Sequence, residues 1–382
     1  MAVIGTGQTK HESRRDDVSM QEMLREASQA CLIDAGISVG QVEALVIGNM
    51  ELFEGRALPE MWCAEGAGFS LKPSLKIATG GTSGTSAVIA GYYQVASGVF
   101  DVVMVVGFEK HSEGNTGTGM AFTDPMWDRH VASAAVGNFA LSISQYMAHR
   151  GTTQQQAAMA AVKARRNACN NPYAHLQMPD LSVEDVLNSR MLAYPIHLLD
   201  MCPTTDGACA IILASEKVAR KVCPKPAWIR AAATLHDQPY IGDHAERLVT
   251  MRTLKEASRR AYQAAGITDP LKQLDVAEIY DPVSYAELAW YEILGFCKPG
   301  EAGRLIEDGV TAMDGELPVN PSGGVLSTNP VGASGVIRVA EAALQIHGKG
   351  NKRQVPDVKT ALATGYGVYS WADVVILSSS PQ

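Results

Sequence analysis

The chain has 382 residues, 46% hydrophobic and 19% charged, with 35 glycines and a formal charge of −8. It is long enough for two cores, since single cores seldom grow past about 250–300 residues, and its composition excludes a disordered or fibrous protein. The acidic balance argues against a nucleic-acid backbone as main partner, for want of a basic stripe, and no apolar run approaches the ~20 residues of a membrane helix.

In chain order, MAVIGTGQTK carries no secretory pattern, which makes a cytoplasmic location the expectation. Its GTGQTK, Gly5 to Lys10, lacks the third glycine of a dinucleotide fingerprint and reads as a turn at a strand end. LREAS at Leu24–Ser28 opens a helical stretch stopped by Gly36, and VEALVIG from Val42 reads as a buried strand. ATGGTSGTSAV from Ala78 leads into a second helix, followed by the β-rich DVVMVVGFE from Asp101. Glu109 and His111, at the end of that run, are types suited to acid/base work, but loop exposure is the preferred reading. Residues 112–196 are rich in Met, Gln and Asn and read as an excursion or lid, in which Met120, Phe122, Met126 and Trp127 suit a bulky apolar ligand. Within it, Lys163, Arg165 and Arg166 form a basic cluster, as do Arg252 and Lys255 later; solvated faces are the preferred reading over phosphate sites. DGACAIILAS from Asp206 reads as the last strand of a first half, and KVCPKPAW as a crossover, placing a domain boundary near 220: 1–220 and 221–382. The seven cysteines are scattered without CxxC or His-paired spacing, which disfavours disulfides and a structural metal site.

Comparing the chain with itself is more informative than any single segment. LKEAS at Leu254–Ser258 repeats LREAS, and Ala265–Ile267 repeats the Ala-Gly-Ile of Ala35–Ile37. GTSAVI at Gly84–Ile89 is repeated as GASGVI at Gly332–Ile337, each opening a helix with residues small enough for close backbone approach. The runs from Asp101 and from Ala372 are taken as the strands that follow these two helices. Near-continuous apolar strands alternating with helices define an α/β fold, built twice.

NPSGGVLSTNPVGASG from Asn320, DMCPTTDGACAIILAS from Asp200, DVAEIYDPV from Asp275 and ALATGYGV from Ala361 resemble segments of the thiolase superfamily, and closest its sterol carrier protein X type. The resemblance implies a thiolase fold: two duplicated βαβαβ halves in a five-layered αβαβα sandwich with an inserted loop domain. It also implies an acyl-CoA substrate, no bound cofactor and no metal. A thiolase needs an activated cysteine, a histidine that holds it ionised and a second cysteine that moves the proton. In this chain the matched positions are Gly81, Asn329 and Tyr366, and a fourth catalytic position is Tyr280. The catalytic candidates are therefore Tyr280, Tyr366, Asn329, Gly81 and Gly365, the glycines (with Gly80) through backbone amides that would form an oxyanion hole. Candidates for substrate or CoA binding are Cys202, Gly323, Gly324, Ser327 and Asp281.

Each has a plainer reading. Tyr280 and Tyr366 are either acid/base groups or satisfied core residues. Asn329 either donates to a thioester carbonyl or shapes the turn before Pro330. Cys202 is read as a small polar contact rather than a nucleophile, and Asp281 either orients Tyr280 or caps the next helix. The function that follows first is a retro-aldol lyase on a β-hydroxyacyl-CoA; next, a thiolase or acyltransferase on an unusual, aromatic or branched β-ketoacyl-CoA; third, a non-catalytic acyl-CoA or lipid carrier. The resemblance also implies a homodimer, joined through the strand after the Gly81 helix, and a small zinc-ribbon/OB-fold partner in a heterotetramer.

Overall fold

The computed structural model of the protein describes residues 1–55, 57–119, 126, 134–237, 247–367 and 371–381. Met120, Phe122 and Trp127 lie outside the described residues, and Met126 is exposed. Among the described residues no helix is long and apolar enough to cross a membrane.

Eleven strands are described: β1 (Ala2–Gln8), β2 (Ala44–Gly48), β3 (Ser74–Ile77), β4 (Val102–Lys110), β5 (Met191–Ala193), β6 (Ile196–His197), β7 (Asp206–Ala214), β8 (Ala227–His236), β9 (Val276–Glu278), β10 (Thr360–Gly367) and β11 (Trp371–Ser378). Nine pair in the order β3-β2-β4-β7-β1-β8-β11-β10-β9, and β5 and β6 form a small hairpin. The duplication is legible in that order. From the centre outward, β1-β7-β4-β2 on one side mirrors β8-β11-β10-β9 on the other, and in each half the outermost of these pairs is parallel while the others are antiparallel. β3 extends the first half beside β2, and its counterpart is a single parallel bridge, Ala277 to Val319. The halves meet where β1 pairs with β8 at Ala2–Trp228 and Val3–Ala227.

This arrangement corrects three expectations. The counterpart of β4 is β10, not the run from Ala372, which forms β11 and matches β7. β4 is paired on both sides, by β2 and β7, so it offers no free edge for a second copy; the edge in the first half is β3, before the Gly81 helix. Residues Gly5 to Gln8 lie inside β1 rather than in a turn, because the helix Met20–Ala35 packs against them: a Cβ on Gly7 would lie 2.3 Å from the Ala27 carbonyl oxygen.

Strand alternation sorts the side chains into layers. In β7, Ala208, Ala210, Ile212 and Ala214 face an outer core with the Met20–Ala35 helix, whereas Cys209, Ile211 and Leu213 face an inner core. That inner core holds the helices Ser83–Ala96 and Val331–His347 and takes in alternate residues of β8, β10 and β11. The opposite faces of β8 to β11 are covered by Arg252–Ala265, Ser284–Ile293 and the excursion helices Ala134–Arg150 and Gln154–Ala168. The result is five layers, αβαβα. Met20–Ala35 and Arg252–Ala265 each end on a left-handed glycine, Gly36 at φ 67° and Gly266 at φ 73°, as the repeated Ala-Gly-Ile requires.

The two central helices cross backbone to backbone. A Cβ on Gly335 would lie 2.3 Å from the Thr85 nitrogen, and one on Gly84 would lie 2.6 Å from the Val336 nitrogen. Gly335→Val should therefore cost about 3 kcal/mol through overpacking, read as a lowered urea midpoint with little change in slope.

Candidate active site

Because the central helices cross near their first turns, the residues just before them converge. Gly81 precedes Ser83–Ala96, and Asn329 and Pro330 precede Val331–His347. Neither helix is capped by the side chain of its own N-cap residue. Tyr280 follows β9, held by two backbone clamps: its N–H donates to Thr364 Oγ1 at 2.9 Å, and its carbonyl accepts from Trp290 Nε1 at 2.7 Å.

The Tyr280 hydroxyl fills the space where a side chain at Gly81 would begin. A Cβ on Gly81 would sit 3.1 Å from that oxygen and 2.2 Å from the Tyr366 carbonyl oxygen. The hydroxyl donates to Asn329 Oδ1 at 3.3 Å, which also accepts from Ser334 Oγ at 2.8 Å; Asn329 Nδ2 donates to Cys202 Sγ at 3.1 Å. The Tyr366 ring packs against Trp290 and Tyr280, with centroids 5.2 and 6.5 Å away. Tyr280, Asn329, Cys202, Tyr366 and Gly81 are thus one cluster.

Its electrostatics favour neutral groups. Burial, reinforced by the nearby Cys202, pushes the Tyr280 phenol well above the usual tyrosine range, so at neutral pH it is a hydrogen-bond donor and an acid, not a base. Burial also pushes the Cys202 thiol up to about 11, against the opposing hydrogen bond from Asn329. A thiol so shifted is protonated at neutral pH and a poor nucleophile, which fits a polar-contact role.

The other candidates adjoin the cluster in sequence, with Gly365 directly before Tyr366, Asp281 directly after Tyr280 and Ser327 two residues before Asn329. Gly365 turns toward the central helix, where a Cβ would strike Thr85 Oγ1. Gly323, at φ 97°, and Gly324, at φ 65°, form a left-handed turn. Its close neighbours are the protein's own atoms: Ala168 at Gly323, and Asn320 Nδ2 and the Asp281 carboxylate at Gly324. Ser327 is fully buried with its hydroxyl unpartnered. Asp281 does not cap the next helix, whose N-cap is Val283 without a side-chain bond; its Oδ1 accepts from the Val325 N–H at 2.7 Å. The turn 320–327 takes the carboxylate instead.

Glu109 and His111 are buried, not in an exposed loop. Glu109 ends β4 facing the start of Val331–His347 and accepts from the Gly332 N–H at 2.6 Å, the Met50 N–H and the Asn49 amide. Burial and the neighbouring Glu54 raise its pKa. The basic cluster also dissolves: Lys163 pairs with Glu287, Arg166 donates to the Leu181 carbonyl, and Arg165 is buried.

Residues the sequence reading did not single out complete the site. Thr205 Oγ1 accepts from the Asn329 N–H at 3.2 Å and meets His175 Nδ1 at 2.9 Å. It lies three residues after Cys202 in the PTTDG segment, and Ser334 lies within GASG, so both were within the matched segments. Trp290 carried no signal, since only the fold brings it back over Tyr280. Behind the site runs a buried ionic network: Arg338 pairs with Glu278 and donates to Ser322 Oγ at 2.8 Å, and Arg353 pairs with Glu341 at 2.7 Å. No disulfide joins any of the seven cysteines, and no group of three or more metal-ligating side chains occurs among the described residues.

With this geometry, comparison with known proteins is specific. Residues 1–177 match the thiolase N-terminal domain, and residues 233–379 match the thiolase C-terminal domain-like family. An acetyl-CoA acetyltransferase of Methanothermobacter thermautotrophicus is 34% identical, over 96% of each chain. Sterol carrier protein 2 of Bos taurus is 30% identical, over 96% of this chain and 70% of its own length. A solved structure titled Ltp2-ChsH2(DUF35) aldolase superposes with a TM-score of 0.84 at 27% identity, covering 99% of this chain and 97% of that one. The chain belongs to the thiolase superfamily and is an acyl-CoA enzyme of that group.

Since the space beside Gly81 is filled, restoring a cysteine there should not restore a thiolase. Gly81→Cys is expected to be destabilised and to form no acyl-enzyme on incubation with an acyl-CoA, as checked by thermal melting and intact-protein mass.

Proposed function

We propose that the protein is a carbon-carbon lyase that splits a β-hydroxyacyl-CoA in the retro-aldol sense. The observation that carries this reading is the Tyr280 hydroxyl, 3.1 Å from where a nucleophile's Cβ would lie, with no activated thiol at the site. The β-hydroxyl proton passes to Tyr366, which enters the step as the phenolate and leaves it as the phenol, and the bond between the α and β carbons breaks. Its electron pair enters the thioester as an enolate, while the β carbon leaves as a ketone or aldehyde. The neutral Tyr280 phenol donates to the enolate oxygen, as an oxyanion-hole group does. Amides of Gly80, Gly81 and Gly365 and the Asn329 side chain are assigned to the same oxygen or to the thioester carbonyl. Tyr366 returns its proton to the α carbon, so no proton, CoA or redox equivalent is consumed.

The same reading takes CoA thioester as substrate, with Cys202, Gly323, Gly324, Ser327 and Asp281 along or behind its path, and a cytoplasmic protein. It divides the chain at the segment between β7 and β8. The β3 edge suits a homodimer: Leu75 on the strand and Met61, Trp62 and Leu71 nearby are exposed. A small partner subunit is supported by the aldolase match, whose title pairs it with a DUF35 protein. A second reading, acyl transfer to free CoA, is favoured by the 34% identical acetyltransferase and requires a thiolate that Cys202 does not supply at neutral pH.

The test is a panel of β-hydroxyacyl-CoAs and β-ketoacyl-CoAs with and without free CoA, followed by mass spectrometry of products. Cleavage of hydroxyacyl-CoAs without added CoA is expected, slowed about 100-fold or more in Tyr280→Phe. Cleavage confined to ketoacyl-CoAs in the presence of CoA would replace the lyase with the acyltransferase. Cys202→Ser should leave lyase turnover within about tenfold of the parent, since its thiol only accepts a hydrogen bond from Asn329.

A further inference from the structure

One buried cation beside the site stands outside the ionic network. Arg165, on the helix Gln154–Ala168, is 1% exposed. Only its Nη2 has partners, the carbonyl oxygens of Met201 at 3.0 Å and Leu199 at 3.4 Å. Its Nε and Nη1 are buried and meet no acceptor. The neighbouring buried cations each hold a carboxylate: Lys163 with Glu287, Arg338 with Glu278, Arg353 with Glu341. Arg165 holds none among the described residues.

An unpaired buried charge is costly, and proteins seldom keep one without a reason. The nearby acids Asp281 and Asp200 act on this one electrostatically but form no ion pair with it. Asp200 is engaged by the Ser284 hydroxyl at 2.6 Å and the His197 N–H at 2.9 Å, and burial pushes Asp281 toward its neutral form. Burial draws the guanidinium down to about 10, which leaves it cationic at neutral pH.

Its position gives the charge a use. Met201, whose carbonyl it holds, precedes Cys202, and Cys202 Sγ accepts from the Asn329 amide that also receives the Tyr280 hydroxyl. The guanidinium therefore stands one residue from the cluster that handles the reacting carbons. The turn 320–327, which packs on the same helix, adds two unpartnered buried groups able to donate, Asn320 Nδ2 and Ser327 Oγ. Free donors and a positive charge without an ion-pair partner at one end of an acyl site are the complement of an anion.

We infer that Arg165 receives a carboxylate on the acyl group, so that the substrate is an acyl-CoA whose acyl part carries a second, free carboxylate. This rests on the acyl-CoA reading above and goes further by naming the substrate class. A CoA phosphate offers the same anionic chemistry, but the burial of Arg165 beside Cys202 favours the acyl end over the charged nucleotide end.

Calorimetric titration of the full-length protein with unreactive CoA thioethers separates these sources: free CoA, an ω-carboxyalkyl-CoA and the methyl ester of the same compound. The carboxylate is expected to bind about tenfold to hundredfold more tightly than the ester. Arg165→Gln should abolish that difference while leaving the affinities for the ester and for free CoA unchanged. Equal binding of acid and ester by the parent protein overturns the inference, and that comparison needs no variant to fold. An Arg165→Gln protein that loses affinity for free CoA as much as for the acid also overturns it, handing Arg165 to the phosphates. Because no turnover is read, a carboxylate preference stands even where the lyase reaction fails, whereas a protein that binds none of the three refutes the acyl-CoA reading as well.

Discussion

The contact between the backbones of the Ser83–Ala96 and Val331–His347 helices is the constraint on which the rest depends. With Gly84 against Val336 and Gly335 against Thr85, no side chain separates them, and each helix can begin at the same point in the middle layer. That common start brings together residues far apart in the chain, Gly81 on one side and Asn329 on the other. Two helix N-termini then face one small volume, a favourable setting for negative charge that develops on an oxygen. The sheet contributes the remaining parts at its strand ends: Tyr280 after β9 and Tyr366 near the end of β10.

The chemistry available there follows from what fills the space. Gly81 leaves room for the Tyr280 ring to slide its hydroxyl against the backbone, and burial then keeps that hydroxyl protonated. A phenol in this state can stabilise an enolate but cannot attack a thioester. Cys202 is subject to the same burial and stays a thiol. Behind the site, Arg338 with Glu278 and Ser322 ties the turn 320–327 and β9 to the Val331–His347 helix, and Arg353 with Glu341 ties the segment after that helix back onto it. Removing one partner of such a pair strands a buried charge, at a cost of about 3–5 kcal/mol, so these residues fix the site's geometry from behind.

Much of the fold was legible because duplication leaves two copies of each signal. LREAS and LKEAS, with Ala-Gly-Ile after each, mark the two outer helices, and GTSAVI and GASGVI mark the two central ones. What duplication did not reveal was how strands sit in the sheet. The run from Ala372 resembles β4 in composition, yet its place in the sheet makes it the counterpart of β7 in the other half, and apolar content alone does not distinguish an interior strand from its neighbour. The grouping of residues was legible at the positions matched by resemblance, since Gly81, Tyr280, Asn329 and Tyr366 fall in one cluster. It was not legible where a side chain reaches across sequence: Glu109 binds Gly332, 223 residues away, and Trp290 folds back onto Tyr280. Arg165 reads as one of three surface cations in KARRN, and only the helix face it occupies shows it to be buried.

The claim on which the account rests is that the enzyme works without a covalent acyl intermediate. The most direct measurement is the intact mass of the protein, quenched during turnover of a substrate it cleaves. The account expects the unmodified mass at every time point. A transient acyl adduct, mapped by peptide mass to Cys202 or any other residue, would contradict it and make the protein a covalent acyltransferase after all.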